Sequence, residues 1–222
     1  MLNTLDEYIC SSIPAWEEFS TNPNLRKKVD GDGKLLPYLG NTVVFLLDED
    51  TKQKLCQIRE ALYRAAGEML AEPLQTATFH MTLHDLANGQ PGQWCLREWM
   101  ADTQARAGEI LCRWKGGAPI RMKATWMFNM VSTSIVLGLA PADGDSWRRL
   151  DEMYTALEDA VPLSYALTPH ITLAYYRPGT YSQEQAERLA GVLRPVDMEV
   201  ELRMENLVLQ EFTDMNHYET VF

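Results

Sequence analysis

At 222 residues, with 46% hydrophobic and 23% charged side chains, the chain can bury a sizeable core, which excludes a disordered or low-complexity protein. A formal net charge of −11 opposes binding along a long duplex nucleic acid, yet leaves room for a small nucleotide or an RNA end in a local cationic pocket, to which Lys34, Lys123 or Arg177 would contribute. No apolar run approaches the roughly 20 residues of a membrane helix, and MLNTLDEYIC lacks both regions of a signal peptide, so no membrane contact and a cytoplasmic location are expected.

In chain order, Leu2 to Phe19 reads as a helical extension, and the polar STNPNLRKKVDGDGK after it reads as a linker. Residues 1–36 are therefore set apart from a domain over 37–222. Asp30 and Asp32 suggest a solvated turn rather than a calcium loop, because Lys34 and Leu35 stand where that motif needs an oxygen ligand and a glycine. Asn41 to Leu47 (NTVVFLL) is strand-like, and Asp50 to about Leu70 is helical with a stripe of Leu55, Ile58, Leu62 and Met69. A strand from Thr76, a helix from about Gly92 to Trp114 and a strand from Pro119 follow.

The order then begins again. A strand at Ser132 leads to a helix holding Trp147, Leu150, Tyr154 and Leu157, then to a strand at Thr168. A helix over Ser182 to Leu193 and the long strand region MEVELRMENLVLQEF end the chain. Two rounds of strand, helix, strand, helix, strand make a weak internal duplication, and predict an α+β, bilobal fold in which the two second strands meet at a pseudo-two-fold axis. Cys10, Cys56, Cys95 and Cys112 lack metal-site or redox spacing and read as reduced fillers of apolar space, while Trp126 and Trp147 read as core.

Side chains alternate along a strand with period two. In the first of these second strands Phe79, Met81 and Leu83 point one way, which sets His80, Thr82 and His84 on the opposite face. In the other, Ile171, Leu173 and Tyr175 oppose His170, Thr172, Ala174 and Tyr176. Both copies read H-x-T with an apolar residue between and a leucine after, 90 positions apart. One neutral and one protonated imidazole can take a proton from an attacking oxygen and give one to a leaving oxygen. A threonine two positions on, about 7 Å along the same face, can donate to a phosphate oxygen. His84 and Tyr176 are candidate substrate contacts, at the groove rim and as a stacking platform respectively. Zinc between His80 and His84 is not expected, because no glutamate follows His80 and the segment alternates like a strand. His217 reads as a surface or edge-strand residue.

FHMTL at Phe79–Leu83 and PHITL at Pro169–Leu173 resemble the paired signature of the 2H phosphoesterase superfamily, and the resemblance extends over about Pro37 to Phe222. GNTVVFLL, FHMTL and PHITLAYY look most like a poorly characterised bacterial branch of it. The resemblance implies a duplicated fold in which two antiparallel sheets line a central groove with helices outside. It further implies a cyclic phosphodiesterase without metal or cofactor. His80 and His170 would be acid and base, Thr82 and Thr172 would hold the phosphate, and the substrate would be a nucleotide or RNA end with a 2′,3′-cyclic phosphate. A module that binds such an end without turnover is the competing expectation, and the oligomeric state is left open.

Overall fold

The computed structural model describes residues 17–114 and 116–222, so the helix expected over Leu2–Phe19 lies outside the described residues up to position 16. Among the described residues are ten strands: β1 (Phe19–Ser20), β2 (Leu39–Leu46), β3 (His80–Gly89), β4 (Ile120–Met130), β5 (Ser134–Pro141), β6 (His170–Tyr175), β7 (Thr180–Tyr181), β8 (Glu199–Leu202), β9 (Leu207–Asp214) and β10 (His217–Thr220). Four α-helices accompany them: α1 (Glu49–Ala66), α2 (Leu96–Leu111), α3 (Gly144–Leu157) and α4 (Gln183–Ala190). None is long and apolar enough to cross a membrane.

Eight strands pair in the order β10-β9-β2-β3-β6-β5-β4-β8, all antiparallel. Between β3 and β6 the ladder is one residue pair, Met81 with Ile171. The arrangement is thus two four-stranded antiparallel halves joined at their second strands, in agreement with the expected α+β, bilobal fold. The last strand of each round crosses over: β4 pairs with β5 in the second half, and β9 pairs with β2 in the first. The long region near the C-terminus therefore divides, with β8 on the edge of one half and β9 inside the other.

Local chemistry starts the helices where the chain needs them. The Asp48 carboxylate accepts from Thr51 N–H at 2.8 Å to open α1, and Asp143 accepts from Ser146 N–H at 2.8 Å to open α3. Ser182 and Gln185 form a reciprocal capping box on α4. Caps of this kind contribute about 1 kcal/mol each. α1 buries Leu55, Leu62 and Ala66, and α3 buries Leu150, Met153, Tyr154 and Leu157. Trp147, expected in the core, is 48% exposed. The buried stripe of α3 starts from Ser146 at i, i+4, i+7 and i+11, which turns the next residue about 100° away from it. The cysteines also depart from expectation: Cys56 and Cys95 are only half-buried and Cys112 is exposed, while Cys10 lies outside the described residues.

The stretch read as a linker is packed onto the body. Phe19, expected at the end of a helix, lies in β1, which pairs with β7. Leu25 and Val29 are buried, and Leu35 N–H donates to Glu72 Oε1 at 2.7 Å. The Asp30 carboxylate accepts from the backbone N–H of Asp32 and Lys34, both at 2.9 Å, closing a tight turn. Gly33 sits in that turn at φ +86, a conformation that side chains resist. A sequence rich in turn residues is polar because its loops face water, and the buried side chains of Leu25 and Val29 help to anchor it.

Candidate active site

The single pair Met81–Ile171 determines the geometry of the site. In an antiparallel register, one step either way sets His80 across from Thr172 and Thr82 across from His170. Each histidine then has the other motif's threonine as its cross-strand neighbour, and the two histidines lie on a diagonal, about 7–8 Å apart at Cα. Met81 and Ile171 point the opposite way into the core, both fully buried. The four polar side chains line one cavity of about 150 Å³.

Each histidine is oriented in the same way by its own strand. His80 Nδ1 donates to the Thr78 carbonyl at 2.7 Å, and His170 Nδ1 donates to the Thr168 carbonyl at 2.7 Å. A carbonyl can only accept, so the proton of the neutral imidazole resides on Nδ1 and Nε2 keeps its lone pair. Burial pushes His80 down to about 4, and the charge of a protonated His170 adds to that; the Thr78 hydrogen bond and the Asp85 carboxylate act in the opposite sense. His170 is lowered as well, again first by burial, against the Thr168 hydrogen bond and Asp85. Both rings are therefore neutral in the free protein at neutral pH.

Four further residues of the cavity were not legible as site residues: Lys28, Asp85, Tyr175 and Tyr218. Asp85 accepts from the Tyr165 hydroxyl at 2.8 Å, and Tyr218 stands edge-on to the His80 ring at 5.1 Å between centroids. The Tyr175 hydroxyl donates to Met215 Sδ at 3.2 Å. Lys34, Lys123 and Arg177, the cations expected from the sequence, are exposed and do not line the cavity. Arg177 instead donates to the Asp32 carbonyl at 3.0 Å and holds the N-terminal turn. Among the described residues, the cation that lines the cavity is Lys28.

No protein-family model matches the chain, and no curated protein matches it in sequence. Solved structures do. A conserved protein of unknown function from Agrobacterium tumefaciens superposes with a TM-score of 0.64 at 17% identity, covering 100% of this chain and 98% of that one. LigT of E. coli superposes at 0.54 with 12% identity, covering 84% of this chain and 96% of that one. TT0787 of Thermus thermophilus superposes at 0.50 with 18% identity, covering 82% and 95%. The chain has the fold of LigT.

Within this fold the two candidate substrate contacts, His84 and Tyr176, do not line the cavity of the paired histidines, although His84 lines the larger cavity beside it, and one cause accounts for both. In β3, Val44 pairs with Thr82 but Val43 pairs with His84, leaving Leu83 as an extra residue. In β6, Val136 pairs with Thr172 but Ile135 pairs with Ala174, leaving Leu173 as the extra residue. Each is a β-bulge, which shifts the alternation by one. After it, Asp85 and Tyr175 take the cavity side, while His84 and Ala174 turn inward. His84 is 1% exposed; its Nδ1 faces the Asp85 carbonyl at 2.7 Å and its Nε2 faces Glu158 Oε1 at 3.2 Å.

Tyr176 is fully buried, edge-on to Phe19 at 5.6 Å between centroids, and among the described residues its hydroxyl finds no hydrogen-bond partner. A buried unpaired hydroxyl costs about 1–3 kcal/mol. Tyr176→Phe is therefore expected to raise the stability by about 1 kcal/mol and leave catalysis unchanged. Urea unfolding and turnover check this. A tenfold loss of kcat/KM would return Tyr176 to the substrate.

Proposed function

We propose that the cavity hydrolyses a phosphodiester, preferentially a 2′,3′-cyclic phosphate on a nucleotide or RNA end, by general acid and base catalysis with His80 and His170. The observation that carries this reading is that both histidines and both threonines line one cavity across the Met81–Ile171 pair, with each ring held by a backbone carbonyl through Nδ1. Nε2 of the neutral histidine takes a proton from water as its oxygen attacks phosphorus. The protonated histidine gives its Nε2 proton to the ester oxygen as the P–O bond breaks. Opposite positions on the diagonal suit an in-line displacement, in which the attacking and leaving oxygens stand on opposite sides of phosphorus. The hydroxyls of Thr82 and Thr172 donate to nonbridging oxygens, where negative charge builds in the transition state.

Size bears on the rest of the substrate. A cavity of about 150 Å³ suits a phosphoryl group and part of a sugar, and whole small-ligand sites usually span about 300–1,000 Å³. A second cavity of about 390 Å³ shares Thr82, Asp85 and His170 with the first and is walled by Met130, Val131, Leu163 and Tyr165. Its apolar walls suit the sugar edge and base of a nucleotide. LigT of E. coli has been solved with 3′-AMP, a nucleoside monophosphate, which supports a ligand of this size and class.

The test is turnover of 2′,3′-cyclic nucleotides, 3′,5′-cyclic nucleotides and short RNAs with a cyclic phosphate end, with and without EDTA. Hydrolysis of the 2′,3′-cyclic substrates at an EDTA-independent rate is expected. Activity abolished by chelator and restored by a divalent ion would sink the acid and base mechanism stated here. An absence of turnover across the whole panel, with binding retained, would convert the reading to an end-binding module.

A further inference from the structure

Lys28 belongs to the segment outside the paired motifs, yet it is the cation of the cavity. Its backbone is held on both sides. Lys28 N–H donates to the Leu25 carbonyl at 2.8 Å, and the Lys28 carbonyl accepts from Leu36 N–H at 2.8 Å. Gln90 Nε2 donates to the neighbouring Lys27 carbonyl at 2.6 Å. The side chain then runs between two aromatic rings, with Nζ 5.1 Å from the Tyr38 centroid and 5.6 Å from that of Tyr175. Burial by itself would lower the Lys28 pKa, but Tyr175, Asp85 and Tyr38 together raise it above the usual value. The group is an ammonium at any working pH.

The charges in the cavity give that ammonium a role. Asp85 contributes a carboxylate, the threonines are neutral donors, and the free histidines are neutral at neutral pH. A phosphodiester brings one negative charge, and more accumulates on its nonbridging oxygens as the attacking oxygen closes on phosphorus. Without Lys28, a bound phosphate would face Asp85 with at most one protonated histidine to balance both. We propose that Lys28 is a direct ligand of the substrate's phosphoryl group, its ammonium meeting a nonbridging oxygen and offsetting the charge of the transition state. This rests on the phosphoester reading above. It also gives the N-terminal segment a function: its backbone holds Lys28 where the side chain reaches the cavity.

The competing role for Lys28 is that of a counter-ion for Asp85 alone, and the experiment separates the two. Inorganic phosphate binding is measured by calorimetry for wild type, Lys28→Met, Lys28→Arg and the double variant Lys28→Met with Asp85→Asn. Turnover of a 2′,3′-cyclic nucleotide and thermal unfolding are followed alongside. Lys28→Met is expected to weaken phosphate binding by about 10- to 100-fold, the size of a hydrogen bond to a charged group. Its kcat/KM is expected to fall by about 10²- to 10³-fold. Lys28→Arg restores most of the phosphate binding, and the double variant stays weak.

Phosphate binding unchanged in folded Lys28→Met overturns the proposal, as does its recovery on adding Asp85→Asn. Wild type that binds no phosphate at millimolar concentration overturns it too. Lys28-dependent phosphate binding in a wild type that turns over none of the cyclic substrates supports the Lys28 site and overturns the hydrolase reading.

Discussion

His80→Ala and His170→Ala are each expected to lower kcat/KM on a 2′,3′-cyclic nucleotide by about 10²- to 10⁴-fold, the usual contribution of one acid or base. Both variants should remain folded. Each ring sits on the cavity face of its strand, half-buried, and its one backbone hydrogen bond is to a carbonyl two residues earlier. Losing that bond costs about 1 kcal/mol. The double variant should be little slower than the slower single one, because acid and base act on the same displacement and their effects do not add. Single-turnover rates on folded variants, with circular dichroism as the control for folding, decide the matter. A folded His80→Ala or His170→Ala that keeps wild-type turnover would remove that histidine from the chemistry.

The second large effect concerns pH. Because burial depresses both histidines, kcat/KM is expected to be bell-shaped with its alkaline limb below the ordinary histidine value of about 6.5. His80, lowered to about 4, keeps its Nε2 lone pair down to acidic pH, and one ring of the pair should serve as base while the other serves as acid. The two limbs report the coupled pair, and a bound phosphate anion should raise both, moving the kcat profile to higher pH than that of kcat/KM. A single limb, or a bell centred above pH 7, would exclude this pairing of acid and base.

The same shift has a consequence for stability. His80 has a lower pKa folded than unfolded, so between about pH 6.5 and 4 the unfolded chain binds the extra proton. Stability is therefore full above about pH 6.5 and is lost as pH falls through that window. At about 1.4 kcal/mol per pKa unit, the loss is on the order of 3 kcal/mol from this one group. Urea midpoints measured from pH 7 to pH 4 should fall less steeply in His80→Ala than in wild type. Parallel falls would show that His80 is equally easy to protonate in both states.

Local sequence determined the core of the site. Alternation over three residues is a property of any strand, so H-x-T in a strand-like segment already set His80 with Thr82 and His170 with Thr172 on common faces, and repetition in equivalent rounds pointed to their meeting. Apolar periodicity likewise located the α1 and α3 helices and the strands β2 to β6, and the paired motifs indicated the two-halved fold. What the tertiary structure alone decided begins one residue past each motif. A bulge exists only in relation to the partner strand, and the chain carries no local mark for the extra residues Leu83 and Leu173. Period two extended across them placed His84 and Tyr176 on the cavity face, where Asp85 and Tyr175 stand. Strand partners were equally hidden, because β4 and β9 look alike as sequence whether they complete their own half or the other. Lys28 and Tyr218 reach the histidines from segments distant in the chain, and only packing of the whole body brings those charges and rings together.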